Sequence, residues 1–243
     1  MRRLLESTIA AAAIVASVAA TATATGSSFH GNPNNAAVFP PRSHPYGADM
    51  STWGERATNW VWGQPLDRSP LLDPTGANCG VAQEGPVWYI ARIAGPQVFS
   101  GERSCTIPHG KSLFLYIGAY LNEYPCPPEF NFEPAPGQSL YDFLIGPATA
   151  VMDTVNLLEV SLDGEQLNDV MGYRFHSDNL FDFRADPSLR PFDPCFTGSL
   201  QPAVIDGFFM MFKPLTRGEH TIVVHGTATG GDDKRFTYHL TIA

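Results

Sequence analysis

The amino-acid sequence predicts a mainly β protein, a β-sandwich of jelly-roll type with two short helices. Three observations carry this expectation. Short alternating or wholly apolar runs recur along the chain, glycine- and proline-bearing turns separate them, and helix-initiating patterns occur only twice. No internal repeat is visible, and residues 46–243 read as one domain preceded by a leader over 1–25 and an extended arm over 26–45.

Taken in order, the first element is a helix. Thr52-Trp53-Gly54-Glu55 has the form of a capping box with Thr52 as N-cap; Trp53, Ala57, Trp60 and Val61 then share one face, and Gly63 and Pro65 end it. Asp73-Pro74-Thr75-Gly76 is a turn in which proline presets φ and glycine supplies a positive one. Gly85-Pro86 introduces an aromatic strand from Val87 to Ile93. Ser104 to Ile107 and Lys111 to Tyr120 follow as strands on either side of Pro108-His109-Gly110. Ser112 to Ile117 is apolar on both faces and therefore central.

Tyr124 to Gly137 is a proline-rich loop holding Cys126, long enough to suggest a functional or disulfide-pinned role. Ser139 to Asp142 caps a second helix over Leu140 to Met152, expected to bend or restart at Gly146-Pro147. From Asn156 onward the pattern is all β. Leu158, Val160 and Leu162 alternate into the hairpin turn Asp163-Gly164, and Tyr173 to His176 and Leu180 to Arg184 alternate in turn. A meander of Val204 to Lys213, Thr221 to Gly226 and Arg235 to Ile242 closes the chain.

Arg2 and Arg3, the small apolar run from Ile9 to Ala20 and Ala22-Thr23-Ala24 give residues 1–25 the three parts of a secretory signal peptide. The apolar run falls short of the roughly 20 residues that cross a bilayer, and no later segment approaches that length. A secreted or extracytoplasmic product without a membrane span is expected. The formal charge is −9, and losing Arg2, Arg3 and Glu6 with the leader makes it −10. Such a surface argues against nucleic acid and against adsorption to anionic lipid.

Cys79, Cys105, Cys126 and Cys195 are even in number, which in an oxidising compartment reads as two disulfides with three possible connectivities. Cys79–Cys105 with Cys126–Cys195 is favoured because the first pair brackets one strand unit, whereas nested or crossed pairings need more of the fold to cooperate. Closely spaced ligands of the C-x-x-C kind are absent, so no metal site is expected. Nor is there a nucleophile elbow, phosphate loop, dinucleotide fingerprint or calcium loop, and no cofactor is expected.

The spacing of Trp53, Trp60 and Trp62, then PLLDPTGANC, GPVWYI and CTIPHGKSLF, resembles a family of uncharacterised secreted bacterial proteins. LDGEQL, Tyr173-Arg174 and GEHTIVV extend the likeness from about Met50 to Ile242. The resemblance implies an exported, mostly β domain with an internal disulfide, and it implies no activity.

Chemistry must therefore be sought residue by residue. Trp53, Trp60 and Trp88 fall on apolar faces and belong to the core, whereas Trp62 and Tyr89 fall off those faces and suit a platform for sugar rings. Glu84 precedes the Trp88 strand and Glu123 follows the Leu113 strand beside Asn122; if the strands run suitably, the two carboxylates meet at one rim and can divide acid and nucleophile roles. His109, in the turn before the central strand, is a candidate general base. His220 and His225 are five apart in one strand and so on opposite faces, which rules out a simple shared ion.

The function expected is a secreted, disulfide-bonded β-sandwich module binding a glycan, such as a cell-wall polymer, or another cell-envelope component through Trp62, Tyr89, Glu84, Asn122 and Glu123. The alternatives are a carbohydrate-active hydrolase or lyase with Glu123 as principal acid, and an extracellular protein-interaction domain.

Overall fold

A computed structural model describes residues 35–94 and 98–243. The expected leader and the first part of the arm lie outside the described residues. Two helices, α1 (Met50–Trp62) and α2 (Leu140–Met152), accompany ten strands: β1 (Val87–Ala91), β2 (Ser100–Ile107), β3 (Ser112–Glu123), β4 (Val155–Leu162), β5 (Glu165–Gln166), β6 (Arg174–His176), β7 (Phe181–Phe183), β8 (Gln201–Phe212), β9 (Gly218–Ala228) and β10 (Asp232–Ile242).

The strands form two five-stranded sheets. The first runs β1-β3-β8-β6 with β7 also paired to β8, and the second runs β2-β10-β9-β4-β5. Leu113, Leu115, Phe208 and Met210 of the first sheet pack with Ile107, Val160, Ile222, Val224, Phe236 and Leu240 of the second in one buried cluster. The mainly β sandwich is thus as expected. Its jelly-roll topology is not confirmed, because β1–β3 and β2–β10 are parallel pairs where a jelly roll is antiparallel. The expected C-terminal meander is also divided: β8 lies in the first sheet, β9 and β10 in the second.

The first sheet is covered on both faces. Phe114, Tyr116, Ile205, Phe209 and Met211 point away from the second sheet and pack under Met50, Trp53 and Ala57 of α1, which is why β3 and β8 read as apolar on both faces. Gly54 sets how closely the helix sits, since a Cβ there would meet the Phe209 ring at 2.9 Å. The N-cap of α1 is Asp49, not Thr52: its carboxylate accepts from the Thr52 N–H at 2.8 Å. A carboxylate suits the positive end of the helix better than a hydroxyl, and Asp49 stands where the chain is still extended. Ser139 caps α2 as expected, and the helix continues through Pro147.

Residues 35–45 of the expected arm lie on the domain. Phe39 N–H donates to the Met211 carbonyl, Lys213 N–H donates to that of Ala37, and Val38 is buried against the end of β8. The disulfides are Cys79–Cys105 and Cys126–Cys195, the favoured pairing. Asp163 and Gly164 both take positive φ in the β4–β5 hairpin, as its turn type requires. Among the described residues no helix is long and apolar enough to cross a membrane.

Candidate functional site

β1 pairs with β3 only from Ser112 to Tyr116, so the last residues of β3 overhang with a neighbour on one side alone among the described residues. The Ile205 N–H and carbonyl are both taken by Ser177, and Tyr124 N–H donates to the Pro202 carbonyl. Backbone groups alternate sides along a strand, so those of Ala119, Leu121 and Glu123 point away from β8 toward the open edge.

A groove of about 460 Å³ runs beside that edge. Its walls are aromatic: Trp62 at the end of α1, Tyr120 on β3, Phe130 and Phe132 in the proline-rich loop, and Phe192 and Phe196 before β8. Phe130 and Phe192 are 51% and 47% exposed, far more than large apolar side chains need be in a chain with this much core. Trp62 meets the Phe196 ring edge-on at 5.1 Å, and Phe132 lies against Phe143 of α2 at 4.5 Å.

Two loops form the far wall, and the Cys126–Cys195 disulfide joins them. Gln201 completes the join. Its amide donates to the carbonyls of Pro125 and Cys195, while its oxygen accepts from the N–H and hydroxyl of Thr197. All its polar capacity is used on loop backbone and one neighbour, which explains a buried glutamine at the first position of β8.

Glu123 forms the floor. It is 3% exposed, and burial, reinforced by the nearby Asp193 carboxylate and opposed by its own N–H, pushes its pKa up to about 8. Burial also raises Asp193, against the hydrogen bond it accepts from Cys195 N–H. Oxygens of the two carboxyls and the Cys195 sulfur lie within 4.8 Å of one another. The sulfur is locked in a disulfide and Glu123 keeps its proton near neutral pH, so the trio does not make a ligand set.

Of the residues expected at one rim, the structure brings together Trp62, Asn122 and Glu123. Asn122 spends its amide on the Leu144 carbonyl of α2 at 2.6 Å. Glu84 is not with them. It precedes β1, which runs parallel to β3, so it stands beyond the start of β3, and β3 from Ser112 to Glu123 alone spans roughly 35 Å at about 3.3 Å per residue. His109 is exposed at that same far end, its N–H donating to the Ala243 carbonyl. Tyr89 stacks on Trp60 at 5.4 Å and touches Trp53 and Phe114; this burial raises its phenol to about 12 and makes it part of the α1–sheet packing. The expected carboxylate pair is replaced by Glu123 with Asp193.

Phe130, Phe132, Phe192, Asp193 and Gln201 were not singled out by the sequence. The signals present were the long loop and the two cysteines that close it. His220 pairs with Asp163, and His225 lies between Glu159 and Asp233, all on the second sheet and its turns.

No protein-family model matches the chain, and no curated protein matches it. Over 61% of its length it is similar to the whole of the solution structure of Amebosin, with 14% identity and a TM-score of 0.20. It is likewise similar over 61% to the whole of the cysteine protease inhibitor EhICP2 from Entamoeba histolytica, with 13% identity and a TM-score of 0.22.

Proposed function

We propose that this chain is an extracellular binding module of the secreted family it resembles, and that the groove beside β3 takes a glycan chain of the cell envelope. One observation carries the proposal: half-exposed aromatic faces line a groove floored by a carboxyl that stays protonated near neutral pH. Flat rings suit the apolar faces of sugars, and a neutral carboxyl both donates to and accepts from hydroxyl and amide groups. Two disulfides fit an oxidising compartment.

Hydrolysis by the same groove is the weaker case. A retaining or inverting pair holds its carboxyls roughly 5–9.5 Å apart with the sugar between them, whereas oxygens of Glu123 and Asp193 lie within 4.8 Å of one another. The open edge of β3 favours a second reading, a polypeptide strand added alongside Ala119 and Leu121.

Oligosaccharides and cell-wall fragments titrated against the oxidised protein, Trp62→Ala and Glu123→Gln test these together. A glycan module loses about tenfold or more in affinity with Trp62→Ala and keeps affinity within a few fold with Glu123→Gln. Released products that disappear in Glu123→Gln would establish the hydrolase. Absence of glycan binding, with an extended peptide slowing amide exchange at Ala119 and Leu121, would replace the glycan by a strand.

A further inference from the structure

On the opposite side of the β3 overhang lies a second opening. It is a cleft of about 250 Å³ between the two sheets, where α2 leads into β4 and where β9 ends and β10 begins. Ile117 and Phe208 line it from the first sheet, Leu158, Val224 and Phe236 from the second, and Val151 and Met152 from α2. Val151 is 40% exposed at its lip.

The cleft is open because two strand positions lack side chains. A Cβ on Gly118 would meet nothing within 4 Å, and one on Gly226 would make only ordinary contact with Leu158 at 3.4 Å. Interiors of ordinary strands are filled to crystal-like density, and a strand glycine often marks a place where another group approaches. Neither glycine is needed for a positive φ or a close strand contact.

The polar residues lining this cleft are Arg92, Tyr120, Thr154, Thr227, Asp232 and Lys234. Arg92 borders it; its Nε is buried without a partner, and among the described residues the guanidinium meets no carboxylate. Lys234 lies on the rim and is held by Asp232 only at 3.4 Å. A protein carrying nine net negative charges thus places beside this slot a guanidinium that meets no carboxylate among the described residues, and an ammonium whose one carboxylate neighbour there, Asp232, stands at 3.4 Å. A buried guanidinium donor without an acceptor is costly unless a ligand supplies one.

We propose that this cleft binds a free alkyl carboxylate, its chain between the sheets over Gly118 and Gly226 and its head group on Arg92 and Lys234. At about 250 Å³ the space lies below the roughly 300–1,000 Å³ of pockets that take drug-sized ligands, and its apolar lining between two sheets suits one unbranched chain. The site is separate from the glycan groove, although Arg92, Ala119 and Tyr120 border both.

Isothermal titration of the oxidised protein with dodecanoate and with dodecanol tests the proposal, using Gly118→Leu, Gly226→Val and Lys234→Gln. Dodecanoate is expected to bind at submicellar concentration and to lose binding in both filled-cleft variants. Lys234→Gln weakens dodecanoate by about tenfold, the worth of one charge-assisted hydrogen bond, and leaves dodecanol unchanged. Two filling variants are used so that a folding failure in one, read from its thermal melt, leaves the other as the test. No dodecanoate binding, unchanged affinity in a folded filling variant, or equal loss of acid and alcohol in Lys234→Gln would overturn the proposal. Unaltered glycan affinity in the filling variants keeps this result independent of the groove.

Discussion

Glu123→Gln gives the sharpest test of the groove's chemistry. In the folded chain the Glu123 carboxyl keeps its proton up to about pH 8, against 4.5 for a free glutamate. Between those values the native state binds a proton that the unfolded state has released, so stability falls as pH rises from about 4.5 to about 8 and levels beyond. Each tenfold difference in proton affinity is worth ~1.4 kcal/mol, and the full gap comes to about 5 kcal/mol at a site only 3% exposed, of which about 4 kcal/mol falls between pH 4.5 and pH 8.5. Glutamine has no proton to lose and relieves the repulsion from Asp193. The variant should match the parent within about 1 kcal/mol at pH 4.5 and exceed it by about 3–4 kcal/mol at pH 8.5, which is roughly 10 °C in melting temperature for a chain of this size. Urea unfolding at the two pH values measures it, and comparing parent with variant cancels the histidines on the second sheet. A stability difference that stays constant from pH 4.5 to 8.5 would refute the assignment of a buried, protonated carboxyl.

Arg174 grips the buried Asp206 with two nitrogens at 2.8 and 2.9 Å and reaches Asp153 and the Thr149 carbonyl at the end of α2. Arg174→Met strands Asp206 and should cost about 3–5 kcal/mol in urea unfolding, while Arg174→Met with Asp206→Leu recovers most of it. Replacing Cys126 and Cys195 by serine opens a span of 69 residues, for which chain entropy predicts a loss of about 4 kcal/mol, together with loss of glycan affinity if the loops part. The hydrogen bond to Glu159, aided by Asp233, raises the His225 pKa. Its contribution is fully present below about pH 6.5 and lost as pH rises through the raised value; a proton NMR titration of its ring should show a midpoint above 6.5, and above that of the Glu159→Gln variant.

Elements with strong local signals were legible in the sequence. The apolar face of α1, the Ser139 cap, the Asp163-Gly164 turn and the doubly apolar centre of β3 each follow from a few neighbouring residues. The disulfide pairing was legible because its alternatives demanded more of the fold. Pairing direction was not. Nothing in Val87–Ala91 states that it lies parallel to β3, yet that direction alone separates Glu84 from Glu123. Likewise Asp193 joins Glu123 across 70 residues of chain through a disulfide and the contacts of Gln201, and no local pattern carries such a meeting.

One irregularity accounts for much of the remainder. Leu113, Leu115 and Ile117 face the second sheet while Phe114 and Tyr116 face α1, so simple alternation would send Glu123 toward the second sheet. The ladder shifts between Tyr116 and Gly118, and beyond the shift Ala119 and Leu121 pack on the α1 side instead. One extra residue exchanges the two faces of a strand, and it does so where β1 ends. Glu123 is thereby turned to the groove with Trp62, while Gly118 is turned to the cleft between the sheets and Tyr120 borders both. The end of β1 exposes the edge and the bulge decides which side chains border each opening, so both proposed sites depend on the same step in β3.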